Sequence, residues 1–281
     1  MSVDTPLVLS DRGLHTLTAD PRPLLAAVAP GSRLVGVGPG GVLVGAVLAA
    51  LSRRDFAFYR RQRKGHGTRQ HIEGRHGGGQ WTVVHCGATD PDLLRAAGMD
   101  VVAEIRVTRE EGTGAAGFIL PEPECAPAEP VSLADSVELL TGSEFVRSSG
   151  ERVDHYFETL AAAHTYDVAA LFADTLGGRP DLVAGVMWGG CYLAAVAATR
   201  RGAQLTLVDP DGLDPAAALG PGIGSVAFLD DLVNSGTDFR RCERLAAHTG
   251  ARATFHALYS PHARADVDRH PVAIGHRLVR S

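Results

Sequence analysis

The sequence contains no run of about eighteen apolar residues, and no basic segment followed by a hydrophobic one stands at its N-terminus. These absences exclude a helical membrane span and a secretory leader, so the chain is expected to be soluble and cytoplasmic, with no membrane partner. C-x-x-C pairs are also missing. The four cysteines, Cys86, Cys125, Cys191 and Cys242, lie far apart, which makes free thiols in a reducing compartment the expectation. His66, His71 and His76 recur every five residues, a spacing that suits neither one helical face nor a zinc-protease motif, so no histidine metal cluster is expected. Positive charge is short as well. Lysines are few and the formal net charge is −5, which argues against a basic face that binds nucleic acid.

What is present is the composition of a globular protein. Hydrophobic residues make up 45% and charged residues 21% of 281 positions, enough for one large domain or two of about 140 residues. Residues 1–32 are poorly periodic apart from a short helical candidate at 24–28. Strands are expected at 33–37, 55–59, 80–86 and 101–107, and helices at 42–51 and 92–97, with Gly38-Pro39-Gly40-Gly41 as a tight loop. The charged segment 60–74 has no apolar period and reads as a loop. Pro121, Pro123, Pro127 and Pro130 then forbid regular hydrogen bonding, so residues 121–131 read as a linker between domains at 1–120 and 132–281. Beyond it, helices are expected at 133–140, 168–176, 192–200 and 238–248, and a pair of short strands within 145–157. Further strands are expected at 182–187, 204–208, 226–229 and 251–258, with Trp188-Gly189-Gly190 as a tight loop. The alternation predicts an α/β fold.

The chain is organised around the stretch Val226 to Thr237. An apolar strand ends in the adjacent carboxylates Asp230 and Asp231, and Asn234-Ser235-Gly236-Thr237 opens a helix. Free N–H groups and the helix dipole favour a phosphate there, and paired aspartates suit the two hydroxyls of a ribose with magnesium alongside. The plain alternative is a buried strand whose acids cap the next helix.

The two halves of the chain also match each other. Val35-Gly36-Val37-Gly38-Pro39-Gly40-Gly41 matches residues 183–190 in role, and Thr82-Val83-Val84-His85-Cys86 falls on Val226-Ala227-Phe228-Leu229-Asp230. Two copies of one α/β unit is the economical reading, and two unrelated α/β domains the alternative. The copies have lost different parts. The first carries Cys86-Gly87 at the aspartate position and alone keeps a basic loop; the second keeps the aspartates, and its loop at 209–215 has no basic residue.

The aspartate pair followed by Asn-Ser-Gly-Thr resembles the 5-phosphoribosyl-1-diphosphate (PRPP) loop of type I phosphoribosyltransferases. Arg63-Lys64-Gly65-His66-Gly67, with Ile72-Glu73-Gly74 after it, is similar to the flexible catalytic loop of orotate phosphoribosyltransferases. Phe145 to Phe157, with Ser149-Gly150 and the pair Tyr156-Phe157, resembles that family's N-terminal hood. The likeness spans roughly residues 33–107 and 135–258. It implies two type I phosphoribosyltransferase-like domains, each a mostly parallel sheet flanked by helices, arranged as an intramolecular pseudo-dimer with one degenerate half. Members of the family are dimers in which each loop reaches into the partner's site, so one fused chain keeps one loop and one PRPP site. Further association of two chains is left open.

By this resemblance Lys64 is the principal catalytic cation, with Arg61, Arg63 and His66 supporting the diphosphate. Trp188-Gly189-Gly190 is the diphosphate loop, Asp230 and Asp231 hold the ribose hydroxyls and reach Mg2+, and Asn234, Ser235, Gly236 and Thr237 take the 5-phosphate. Arg147, Tyr156 and Phe157 face the accepting base. The plain alternatives are a solvated basic loop and, for the two aromatics, one core and one surface position. The chemistry agrees with the assignment. Breaking the bond from C1 to diphosphate places negative charge on the leaving group, so cations there favour the transition state, and a closed loop excludes water. The expected activity is magnesium-dependent transfer of 5-phosphoribosyl from PRPP to a nitrogen heterocycle, orotate or a specialised acceptor, releasing diphosphate. The alternative is a non-catalytic PRPP or nucleotide sensor with the same fold. A dinucleotide oxidoreductase is a weak third reading, since residues 36–41 give only a partial G-x-G-x-x-G. Orotate enzymes usually have lysines where this chain has Ser148 and Gly189, which counts against orotate as the acceptor.

Overall fold

The computed structural model describes residues 2–9, 14–17, 20–60, 70–74, 78–86, 91–111, 118–119, 138–146, 152–214, 217, 219–233, 236–259 and 272–274. Strand β1 (Ser2–Leu9) pairs antiparallel with β2 (Leu14–Leu17). In the first half, β3 (Arg33–Val37), β4 (Phe56–Tyr59), β6 (Gln80–Cys86) and β7 (Asp100–Glu111) are parallel in the order β7-β6-β3-β4, with β5 (Ile72–Gly74) antiparallel on β4. Helix α1 (Gly38–Ser52) follows β3, and α2 (Pro91–Ala96) follows β6.

A two-residue strand, β8 (Phe118–Ile119), precedes an antiparallel ribbon of β9 (Glu138–Val146) and β10 (Arg152–Glu158), which leads into α3 (Leu160–Ala163) and α4 (Tyr166–Asp174). The second half then repeats the first pattern. Strands β11 (Leu182–Val186), β12 (Gln204–Val208), β13 (Ser225–Leu232) and β14 (Arg252–Tyr259) are parallel in the order β14-β13-β11-β12, and β15 (Val272–Ile274) extends β14. Helix α5 (Gly190–Arg201) follows β11, and α6 (Thr237–Thr249) follows β13.

The halves form one continuous sheet because β1 lies parallel to β7 while β2 lies antiparallel to β12. They also share a core. Residues 40–50 of α1 and 190–199 of α5 are buried throughout, as expected of helices apolar on every side, and both helices belong to a single apolar cluster. Across this contact the Tyr192 hydroxyl donates to the Arg54 carbonyl at 2.5 Å, and its ring stacks on Phe56 with centroids 5.6 Å apart.

Close backbone approaches fix how the halves correspond. A Cβ on Gly36 would lie 2.8 Å from the Gly41 carbonyl oxygen, and one on Gly185 would lie 2.8 Å from that of Gly190. Gly41 in turn abuts Val84 and His85, as Gly190 abuts Leu229 and Asp230. The expected match of Cys86 with Asp230 is therefore corrected by one residue. His85 takes the place of Asp230 and Cys86 that of Asp231, a slip that matters because one step along a strand changes the face.

Several expected elements also change. Residues 1–32, read as unpatterned, contain two strands, and the pairing of β1 with β7 shifts between Val3 and Leu7 around Pro6, which has no N–H to give to a ladder. Gly38-Pro39-Gly40-Gly41, expected as a loop, is the first turn of α1, where the fixed φ of proline is accommodated. Ile72-Glu73-Gly74, read within a loop, is β5. The expected helix at 133–140 is replaced over its described part by β9, where Leu139 and Leu140 stand in backbone register with Phe157 and Tyr156 of β10. Strand β13 runs on through both aspartates, and β15 was not anticipated. Linker residues 121–131 lie outside the described residues. Among the described residues no helix is long and apolar enough to cross a membrane.

Candidate functional site at the junction of the halves

At its carboxyl end β13 delivers Asp230 and Asp231 beside the turn between β11 and α5. The turn is Met187-Trp188-Gly189, its first peptide is cis, and α5 starts at Gly190. Its glycines are required by space. A Cβ on Gly189 would overlap the Asp231 carboxylate and lie 3.1 Å from Asp230 Oδ1, while one on Gly190 would collide with the Leu229 carbonyl. The turn and the acid pair are thus packed against each other with no room for a side chain.

Both carboxylates are held. The Asp231 N–H donates to Asp230 Oδ1 at 2.9 Å, and the Thr159 hydroxyl donates to Asp231 Oδ2 at 2.5 Å. Burial, reinforced by the neighbouring charge of Asp231, pushes the Asp230 carboxyl well above the usual range. Thr159 is buried, and Glu158 beside it caps the turn that follows: its Oε1 accepts from the N–H groups of Leu160 and Ala161 at 2.9 and 3.3 Å. Burial first, and then the Asp231 charge, raise the Glu158 carboxyl to about 7, against the lowering effect of those two N–H groups.

The first half supplies the opposing wall. Arg60, the residue after β4, lies with its guanidinium carbon 5.0 Å from the ring centroids of both Phe58 and Trp188, and these rings stack on each other at 5.6 Å. Its Nε donates to Glu73 Oε2 at 3.0 Å, while its Nη2 is buried without a hydrogen-bond partner among the described residues. Arg60 and His71 pin the base of the basic segment, since the Arg60 N–H donates to the His71 carbonyl at 2.8 Å and His71 Nδ1 lies 2.9 Å from the Arg60 carbonyl.

Between the two walls sits His164, fully buried, with its ring centroid 5.4 Å from those of Phe56 and Phe58 and 5.9 Å from that of Tyr192. Burial lowers its imidazole to about 3, so the ring is neutral. Further along the second half, Gly236 adopts φ 67° ahead of α6, a conformation that favours glycine, and Thr237 begins the helix.

The structure therefore brings Trp188, Gly189, Gly190, Asp230 and Asp231 together, with Gly236 and Thr237 at the start of α6. Lys64, His66, Arg61, Arg63, Arg147, Asn234 and Ser235 lie outside the described residues. Tyr156 and Phe157 lie on β10, their backbones paired with Leu140 and Leu139. Sequence reasoning did not single out Arg60, Glu158, Thr159 or His164, and quoted Glu73 only within Ile72-Glu73-Gly74 without a role of its own. Arg60 lay at the edge of the basic segment and Thr159 just past the aromatic pair, but nothing local marked the first as resting on Trp188 or the second as bonding to Asp231.

Among the described residues no group of three His, Cys, Asp or Glu side chains gathers as a metal site. Asp230 and Asp231 offer two adjacent hard oxygen donors at the carboxyl end of β13. That set suits a magnesium ion whose remaining ligands are water and substrate phosphate oxygens.

Among solved structures, the chain is similar to orotate phosphoribosyltransferase from Aeropyrum pernix, with 26% identity, coverage of 50% of this chain and 90% of that one, and a TM-score of 0.40. It is also similar to adenine phosphoribosyl transferase from Trypanosoma brucei, with 11% identity, coverage of 52% and 79%, and a TM-score of 0.36. With UMP synthase of Leishmania donovani it shares 16% identity over 92% of this chain and 60% of that one, at a TM-score of 0.42. No protein-family description and no curated protein matches the chain.

Proposed function

We propose that this chain is a phosphoribosyltransferase that moves 5-phosphoribosyl from PRPP to a ring nitrogen of a heterocycle and releases diphosphate, with one working site at the junction of its two halves. The observation that carries this reading is Arg60. A guanidinium from the first half rests on Trp188 of the second, which roots the basic segment beside the glycine turn and the aspartate pair. Lys64 follows four positions later, and four residues reach at most about 14 Å, so the cationic segment is long enough to cover the turn. The repeated strand order supports the pseudo-dimer, with the cradle kept in one copy and the basic segment in the other.

In this mechanism Asp230 and Asp231 accept hydrogen bonds from the two ribose hydroxyls and orient C1. Backbone N–H groups of the turn around Gly189, which packs directly on the aspartate pair, approach the diphosphate. The unpartnered Nη2 of Arg60 donates to the departing diphosphate, and Lys64, Arg61, Arg63 and His66 add charge where the leaving group gains it. Asn234 to Thr237 bind the 5-phosphate ahead of α6. Mg2+, held by Asp230 and Asp231, supplies charge neutralisation of the diphosphate when bound.

Purified protein with Mg2+ and PRPP is expected to release diphosphate in the presence of a suitable base, and Asp231→Asn is expected to reduce kcat/KM by about a hundredfold. Calorimetric binding of PRPP without turnover of any base would favour a sensor instead.

A further inference from the structure

The geometry points to Thr159 as a positioning residue for the ribose: its hydroxyl holds the Asp231 carboxylate in the orientation in which that acid accepts one of the two sugar hydroxyls. This rests on the transferase reading of the same site. Thr159 stands at the N-cap of α3, where a threonine oxygen ordinarily accepts an N–H of the first turn. Here its side chain makes no such bond to α3. Glu158 does that work instead, its Oε1 accepting from the N–H groups of Leu160 and Ala161. The Thr159 hydroxyl is thereby released from its own helix, and it donates at 2.5 Å to Asp231 Oδ2, 72 positions away in the chain. Thr159 is buried. A buried hydroxyl needs a partner, and this one is given to a carboxylate of the site rather than to the backbone beside it.

The two acids are held by different means. Asp230 Oδ1 accepts from the Asp231 N–H, a group fixed by β13 itself. Asp231 is held through its side chain: Oδ1 lies against Gly189, in the space that a Cβ there would fill, and Oδ2 takes the Thr159 hydroxyl. A bond from a donor to a charged acceptor is the stronger kind, and here it sets the direction of the carboxylate before any ligand arrives. Without the donor, the carboxylate is free to turn away from the glycine turn, and binding the sugar must then order it. Asp230 keeps its backbone donor in either case. The loss is therefore expected at one sugar hydroxyl and not at the other.

Calorimetry in the presence of Mg2+ measures the binding of PRPP, ribose 5-phosphate, 2-deoxyribose 5-phosphate and 3-deoxyribose 5-phosphate to wild type, Thr159→Val, Thr159→Ala and Thr159→Ser. Val keeps the side-chain volume and Ala presses no methyl on the carboxylate; both remove the donor, whereas Ser retains it. Thermal midpoints identify the variants that fold, and either of the first two suffices. Wild type is expected to bind ribose 5-phosphate more tightly than both deoxy sugars. The variants without the donor are expected to bind PRPP about tenfold more weakly, to lose about tenfold of the preference against one deoxy sugar and to keep it against the other, with Ser within about threefold of wild type. A residue that merely supported α3 would weaken every ligand alike. If the variants without the donor weaken all three sugars equally or not at all, if Ser behaves as they do, or if neither of them folds, the inference is overturned while the transferase reading stands. The same follows if wild type binds PRPP without distinguishing the three sugars. If wild type does not bind PRPP, both fall.

Discussion

Lys64 is the one lysine in the chain, and it stands in the segment assigned to the leaving group. Arginine supplies nearly all other positive charge, and an arginine cannot give up its proton or react as an amine near neutral pH. Amine-directed acetylation can therefore reach only Lys64 and the N-terminus. Treatment with an acetylating reagent is expected to abolish turnover in wild type, with PRPP and Mg2+ protecting, and mass spectrometry should place the protected acetyl group on residue 64. Lys64→Ala is expected to lose about 3 kcal/mol of transition-state stabilisation, roughly a hundredfold in kcat, as removal of one charge-stabilising donor does elsewhere, and its residual activity should be indifferent to the reagent. The aspartate pair was equally visible in the sequence, because two adjacent charges at the end of an apolar run need a reason. Arg60 and Glu158 were not. One was hidden within a run of like residues and the other looked like any strand-end acid; only the meeting of segments distant in sequence gives them a role.

Among the elements, strands β3 and β12 coincide with their expected limits, because buried parallel strands are continuous apolar runs. Helices α1 and α5 were recognisable from composition, though α1 begins four residues earlier than expected, through glycine and proline. The elements not anticipated are those whose pairing partners lie far away in the chain: β1 and β2, which join the halves, and β9, which is strand only because β10 folds back on it. The turn into α5 shows how local sequence and tertiary contact combine, and the two adjacent glycines make different demands. A side chain at Gly189 would press on the Asp231 carboxylate, which can rotate; one at Gly190 would press on the Leu229 backbone, which cannot without moving β13. Gly189→Ala is therefore expected to fold with a melting temperature near wild type and to lose PRPP-dependent turnover by at least about a hundredfold, since it displaces a ribose ligand. Gly190→Ala is expected to cost about 2–4 kcal/mol of stability by urea denaturation, the range for forced overpacking and backbone shift.

Over the whole molecule, one continuous sheet and a shared helical core make the halves a single packed body, and its buried ionisable groups act on stability with opposite signs. His256, on β14, is lowered to about 4 by burial alone. Its folded pKa lies below the unfolded value of about 6.5, so as pH falls from 6.5 towards 4 the unfolded chain takes up a proton that the folded chain refuses, and stability drops. His164, lowered to about 3, acts in the same direction. Glu158 does the reverse. Raised to about 7, it keeps a proton in the folded state that the unfolded chain releases above its ordinary value near 4.5, so stability grows as pH falls through that window. Wild type therefore shows only the difference of these effects, and single variants should separate them. Between pH 7.5 and 4.5, His256→Gln is expected to gain about 2–3 kcal/mol relative to wild type in urea unfolding, because it carries no refused proton. Glu158→Gln should fall behind wild type by a similar amount over the same interval, because it cannot take up the proton that favours the folded state. Parallel pH profiles for wild type and both variants would mean that neither group is buried as the fold has it.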